Sequence, residues 1–233
     1  MYLIDETTLQ WYNPCGVVFM NGIIETNGII IKVMPIGEYD KRITILTKER
    51  GKISAFARGA RRVGNQFMGV TRAFACGKFN LYGGRDSMSL HSAHIENYFE
   101  DLAEDMEKTC YGTYFLELAD YYARENMSEP QMIKLLYYAL TALTKPALPH
   151  KLVRRIYELK LMVIEGEYDE KPRDGVSETT AYTWEYIRTS PVEKLFNFVV
   201  NEETQEELGK EIDHMMNRYI NHPMNSLEIL KMM

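Results

Sequence analysis

Apolar and polar positions alternate along the first part of the chain and recur every three or four residues along the second. Alternation marks a half-buried strand, and the longer period marks an amphipathic helix. Residues 28–34 form an apolar run with Ile29, Ile30, Ile31 and Val33, broken by Pro35 and Gly37. A second run covers 41–47, with Ile43, Ile45 and Leu46 apolar. Glu49-Arg50-Gly51 turns into a third run at 52–58, and the pair reads as a hairpin. Within the third run Ile53, Ala55 and Ala57 share one face, and Ser54, Phe56 and Arg58 share the other. An irregular basic stretch occupies 59–72. Further strands are predicted at 74–82 and 87–95, joined by a turn at Gly83-Gly84-Arg85-Asp86. Five short strands in so little chain predict a small closed barrel or a sandwich.

The period changes near Tyr98. Leu102, Met106, Cys110, Tyr114, Leu118 and Tyr122 recur every four residues, the stripe of one amphipathic helix. Helical spacing returns at 131–143, after the start signal Ser128-Glu129-Pro130. It returns again at Leu152, Ile156, Leu159 and Val163, with Gly166 as the stop. Residues 167–177 are polar, hold Pro172 and Gly175, and read as a loop. Helices are also predicted at 191–200, 203–219 and 226–232. The boundary between a strand-rich part and an all-α part falls near 97–101.

Charge divides along the same line. The chain carries a net charge of -6, but residues 20–99 hold 12 Lys+Arg against 6 Asp+Glu, and residues 100–233 hold 15 against 25. A polyanion would therefore meet the first part. No apolar run reaches the length of a membrane span. The first nineteen residues have no Lys or Arg, so a secretory leader is not expected. Cys15, Cys76 and Cys110 are too few and too scattered for a disulfide framework, which suits a reducing cytoplasm.

Enzyme chemistry finds little support. Neither a phosphate-binding Gly-x-x-x-x-Gly-Lys-Ser/Thr loop nor Gly-x-Gly-x-x-Gly occurs. His91 and His94 are three apart on a predicted strand and should point to opposite faces. His150, His214 and His222 are isolated. Cys76 and Cys110 read as buried side chains. Glu100, Asp101, Glu104, Asp105 and Glu107 read as a solvated helix face.

The ordered series Gly28-Ile29-Ile30-Ile31-Lys32, Gly37-Glu38-Tyr39-Asp40-Lys41, Thr44-Ile45-Leu46-Thr47, Gly51-Lys52-Ile53-Ser54 and Arg58-Gly59-Ala60-Arg61 resembles the bacterial RecO family of recombination mediators. Phe79-Asn80-Leu81-Tyr82, Tyr114-Phe115-Leu116-Glu117-Leu118 and Tyr157-Glu158-Leu159-Lys160-Leu161 continue the likeness over about 22–165. The resemblance implies an α+β chain in two domains. An N-terminal five-stranded OB-fold β-barrel at 22–97 precedes an all-α helical domain at 98–233, with a loop at 167–180. Residues 1–19 have no counterpart, and Met20 stands just before the family's start. Residues 1–21 are thus an N-terminal extension, either a natural tail or the product of a start codon placed too far upstream.

The resemblance also implies binding of single- and double-stranded DNA, annealing of complementary strands, and assistance to recombinase loading in recombinational repair. It implies a non-enzymatic, cytoplasmic, nucleoid-associated protein. RecR and the C-terminal tail of the single-strand DNA-binding protein are the implied partners, and no membrane is involved. Many members carry a four-cysteine zinc site after the Tyr-Glu-Leu-Lys-Leu helix. Here no cysteine follows Cys110 and no histidine lies within 166–186, so no zinc is expected and the loop must be held by packing, with Tyr182 and Trp184 as candidates.

The basic set Lys41, Arg42, Lys52, Arg58, Arg61, Arg62, Arg72, Lys78 and Arg85 sits at strand ends and connections, where such a barrel binds. Charge plus ring stacking suffices for binding without sequence preference. Phe56, Tyr39 and Tyr82 are the candidate rings. Barrel core is the alternative for each ring, and an ordinary solvated surface is the alternative for each charge. Arg154, Arg155 and Lys160 are candidate cations for an acidic, apolar peptide tail on the helical domain. The rival reading is an OB barrel that binds protein as an adaptor, or RNA as a regulator.

Overall fold

Strand β2 (Ile23–Ile36) is long enough to serve two neighbours. The computed structural model describes residues 19–20, 22–83 and 88–231. The chain forms two compact units. One contains the described residues up to Tyr98 together with Ala123–Pro130, and the other contains Phe99–Tyr122 and the residues from Gln131.

In the first unit the C-terminal half of β2 pairs with β3 (Asp40–Thr47), and its N-terminal half pairs with β5 (Cys76–Gly83). β3 pairs with β4 (Gly51–Ala57), β4 runs parallel to β6 (Met88–Asn97), and β6 returns antiparallel to β5. The β2–β5 pairing closes the barrel. A two-residue strand, β1 (Phe19–Met20), adds to the start of β2 from within the expected extension. Where β2 changes partners it carries Gly28. A Cβ there would lie 2.5 Å from Ile45 Cγ2 and 2.6 Å from the Leu46 carbonyl, so glycine permits the close approach. Ile30, Ile43, Ile45, Ile53, Ala55, Phe79, Leu81 and Leu90 fill the interior. Each Ile, Leu or Phe among them contributes about 1.5–3 kcal/mol by leaving water.

The connection after β4 contains a single helical turn, α1 (Phe67–Val70). Register slips between Asn80/Leu81 opposite Ser92/Leu90, which leaves His91 as an extra residue in β6. That bulge breaks the period of two. His91 and His94 are therefore both exposed, against the expectation of opposite faces.

The barrel is not continuous in sequence. Lys52 N–H donates to the Arg124 carbonyl at 3.0 Å, Asn126 N–H to Arg50 at 2.9 Å, and Glu129 N–H to Lys48 at 2.9 Å. The Ser128 hydroxyl also donates to the Lys48 carbonyl. Residues 123–130 thus cap the β3–β4 turn, and a boundary drawn near 97–98 leaves them out. Gly51 in that turn has φ +60°, and a Cβ would sit 2.0 Å from the Arg124 carbonyl oxygen.

The second unit contains α2 (Glu100–Ala103), α3 (Met106–Tyr122), α4 (Pro130–Leu143, whose first residue belongs to the barrel unit), α5 (His150–Glu165), α6 (Glu178–Thr189), α7 (Glu202–Tyr219) and α8 (Asn225–Lys231). The expected single helix through Leu102 is broken. The Asp105 carboxylate accepts from Lys108 N–H and starts α3 afresh. Met106 is consequently exposed and Cys110 only half-buried, while Tyr111, Tyr114, Phe115, Leu118 and Tyr122 make the buried stripe. α5 stops as expected at Gly166, whose φ is +78°, and Glu167 N–H bonds back to Met162.

The helix expected at 191–200 is only a 3-10 turn, Val192–Lys194. Val192, Leu195 and Phe196 still reach the core, so packing satisfies the apolar spacing without a full helix. α6 begins at Glu178, inside the expected loop, because Ser177 caps it and bonds with Thr180 to the Glu207 carboxylate of α7.

Candidate nucleic-acid interface

Register places five outward side chains in one row across the barrel wall. Tyr82 of β5 lies opposite Ser89 of β6, which lies opposite Phe56 of β4. Phe56 lies opposite Arg42 of β3, and Arg42 opposite Met34 of β2. Their sequence neighbours Leu81, Leu90, Ala55 and Ile43 are buried, which fixes the row on the outside. Tyr82 is 54% exposed and Met34 45%. Tyr82 is thus surface and not barrel core. Phe56 is half-buried between its neighbours. The Arg42 Nε donates to Ser54 Oγ at 2.7 Å, which holds the guanidinium flat along the sheet.

Beside this row, the β2–β3 turn and the start of the β4–β5 connection are clasped together. Gly59 N–H donates to Asp40 Oδ1 at 2.7 Å, and Arg61 N–H to the Tyr39 carbonyl at 2.9 Å. The Arg61 guanidinium donates to the Gly37 carbonyl at 3.0 Å. The Arg62 guanidinium stacks 4.5 Å from the Tyr39 ring centroid. Gly59 turns the chain at φ +69°. The clasp brings exposed Arg58, Arg61 and Arg62 to the same end of the barrel as Arg42.

The remaining expected contacts lie elsewhere. Lys41 has the inward parity of Ile43, and its Nζ donates to the Thr71 carbonyl at 2.9 Å and hydroxyl at 3.1 Å. Burial first, then the Arg61 charge, lowers its ammonium pKa. It is an internal tie and not an outward cation. Lys52 sits at the far end of β4 from Arg58, half-buried beside the Arg124 segment. Lys78 is paired with Glu25 at 3.1 Å, and Arg72 lies over the Tyr98 ring at 4.2 Å. Arg85 and its turn lie outside the described residues, as do Cys15 and nearly all of the expected extension. Met34 and Ser89 complete the row but carry no charge or ring, so only strand register reveals them.

In the helical unit, Glu158 is fully buried. Its Oε1 accepts from Tyr114 Oη at 2.6 Å and Arg154 Nε at 2.7 Å, and its Oε2 from Arg155 at 2.9 Å. Burial opposes ionisation, but the Arg155 and Arg154 charges outweigh it and hold the carboxyl below the usual range. Arg155 also grips Asp213 with bonds of 2.6 and 2.8 Å. Arg154 and Arg155 border a cleft of about 450 Å³ lined by Met216, Ile220, Met224 and Leu227. Lys160 does not guard that cleft. It is buried, and its ammonium donates to the Arg188 and Ser190 carbonyls at 2.9 and 2.7 Å.

Residues 166–186 contain neither Cys nor His, so they do not fit a four-ligand zinc site. Among the described residues, no group of three or more His, Cys, Asp or Glu is arranged to hold a metal ion. The loop is instead tied by Trp184 Nε1–H to the Asp169 carbonyl, Arg173 to Glu211, and Arg218 to Asp169. Tyr182, expected to help, is 70% exposed. No described helix is long and apolar enough to cross a membrane.

A closed barrel of the oligonucleotide-binding type with a basic, ring-bearing wall, joined to a helical unit, defines the class. The family descriptions "Recombination protein O N terminal" and "Recombination protein O C terminal" match residues 20–99 and 103–168. The chain belongs to the RecO family of DNA repair proteins. It is 26% identical to the DNA repair protein RecO of Acetivibrio thermocellus, over 89% of this chain and 96% of that one. It is 31% identical to that of Alkaliphilus metalliredigens, over 62% and 58%, and 33% identical to that of Symbiobacterium thermophilum, over 62% and 57%.

Proposed function

We propose that the chain binds single- and double-stranded DNA without sequence preference, anneals complementary strands and assists recombinase loading. The row Tyr82–Ser89–Phe56–Arg42–Met34 carries this reading. It offers rings for base faces, while Arg42, Arg58, Arg61 and Arg62 neutralise phosphates at its edge. Two strands held by their backbones repel each other less and keep their base edges free to pair. The role is non-catalytic, cytoplasmic and independent of zinc. RecR and the C-terminal tail of the single-strand DNA-binding protein are the proposed partners. The cleft beside Arg154, lined by Met216, Ile220, Met224 and Leu227 but also by Asp213 and Glu228, is the proposed seat for the apolar part of that tail.

Annealing of labelled complementary oligonucleotides tests the proposal. The triple variant Arg58→Ala, Arg61→Ala, Arg62→Ala should slow annealing and lower the salt slope of single-strand binding by up to about 2, at ~0.7 per phosphate. Unchanged annealing in a folded triple variant overturns the placement of the surface. Failure of the parent chain to accelerate annealing overturns the function and favours the adaptor, and stronger binding to ribo-oligonucleotides favours the RNA regulator. Tail-peptide calorimetry with Leu227→Asp tests the cleft, and unchanged affinity removes it.

A further inference from the structure

Val63 is 96% exposed, the most exposed large apolar side chain among the described residues. It is not there through looseness. Asn65 N–H bonds back to the Arg62 carbonyl at 3.1 Å, so Val63 and Gly64 are the two central residues of a closed turn. Gly64 has φ +78°, which the third position of a type II turn requires. The turn is braced on both sides. Arg62 N–H bonds to Gly59 at 2.9 Å, and Phe67 N–H to Asn65 Oδ1 at 2.8 Å. The same clasp that fixes Arg61 on Gly37 and Arg62 on Tyr39 therefore fixes this tip. A β-branched side chain adds stiffness of its own, since its χ1 is restricted.

The surroundings select the occupant. From Arg58 to Arg72 the chain holds four arginines and no Asp or Glu. A lone isopropyl group is a poor anchor for a protein groove, where aromatic residues and Arg dominate and Val is scarce. The four arginines around it select a polyanion, and an apolar tip among cations can enter the gap between two stacked bases as the larger apolar wedges of DNA-bending proteins do.

We propose that Val63 is a wedge that enters the base stack of bound DNA, with the neighbouring Arg61 and Arg62 holding phosphates beside it. The function proposed above gives this a purpose, and the inference rests on that reading. A strand whose bases have been unstacked at intervals presents them singly to a complement. The wedge needs no sequence, because every base step has a stack to open.

The test uses the full chain and a single-stranded oligonucleotide carrying an adenine analogue whose fluorescence is quenched by stacking. Binding of the parent chain should raise the signal roughly two-fold or more. Val63→Ser should keep affinity within about three-fold, because the arginines remain, yet lose at least half of the rise. Val63→Leu, apolar but unable to stack on the probe, should restore it. The side chain touches solvent, so both variants should keep the parent's circular dichroism. A full rise with Val63→Ser overturns the wedge while leaving DNA binding intact. No binding by the parent chain in dilute buffer overturns the DNA reading itself, and the wedge with it.

Discussion

Replacing Glu158 with Ala probes the charge cluster in the helical unit. The carboxylate is wholly buried and accepts from Tyr114, Arg154 and Arg155. Its removal leaves two guanidiniums and a phenol facing a void. Taking one partner from a buried pair costs about 3–5 kcal/mol. Asp213 still holds Arg155 by two bonds, so the lower part of that range is expected. At roughly 2–4 °C per kcal/mol for a chain of this size, Tm should fall by about 6–12 °C. The pH dependence has a definite sign. The folded-state pKa of Glu158 lies below its unfolded value of about 4.3, so its contribution is present above that value and lost as pH falls through the folded pKa. Glu158→Gln keeps the volume but turns an amide N–H₂ toward one of the donors, and it removes that acid-side slope. Calorimetry and urea unfolding followed by far-ultraviolet dichroism, from about pH 7 down to about pH 3, measure both effects. A Glu158→Ala chain within about 1 kcal/mol of the parent refutes the reasoning.

Gly51→Ala should destabilise the barrel unit by at least about 2 kcal/mol, since it combines a left-handed backbone with a Cβ in contact with the Arg124 carbonyl; urea midpoints check this. Lys160→Met should lower stability by about 1–3 kcal/mol by stranding the Arg188 and Ser190 carbonyls, yet leave tail-peptide affinity unchanged by calorimetry. Cys76 should resist an aromatic disulfide reagent in the native chain and react only on unfolding, because burial and the Glu96 charge push its thiol up to about 12. Lys78→Ala should change single-strand affinity less than about two-fold, because Glu25 already pairs with it; a loss as large as that of Arg61→Ala in a fluorescence-anisotropy titration contradicts the proposed placement.

Alternation alone exposed which face of β4 is buried, and Ile53, Ala55 and Ala57 lie inward as their spacing requires. It did not expose register. The row from Tyr82 to Met34 joins residues far apart in sequence, and one residue of slip would dissolve it. Lys41 and Arg42 illustrate the limit. They look alike as a basic pair, yet parity sends one inward to Thr71 and the other outward to Ser54. Lys160 likewise reads as a surface cation until two carbonyls at the end of α6 are seen around it. The stripe from Leu102 misled because Asp105 recruits Lys108 N–H and restarts the helix, a local bond that periodicity does not weigh. The 191–200 segment misled in the opposite sense, with apolar spacing met by one tight turn.

The barrel borrows its last piece from beyond a helix, and chain order gives that a consequence. A ribosome releases all the wall strands by Asn97, but Ala123–Pro130 emerges only after α3 has been made. Until then the Lys48 and Arg50 carbonyls and the Lys52 amide have no partner from that segment. The nascent wall must therefore wait, half-finished, for material encoded downstream. An excised piece ending at Tyr98 would lack those bonds, whereas one ending at Pro130 would contain every residue that makes them.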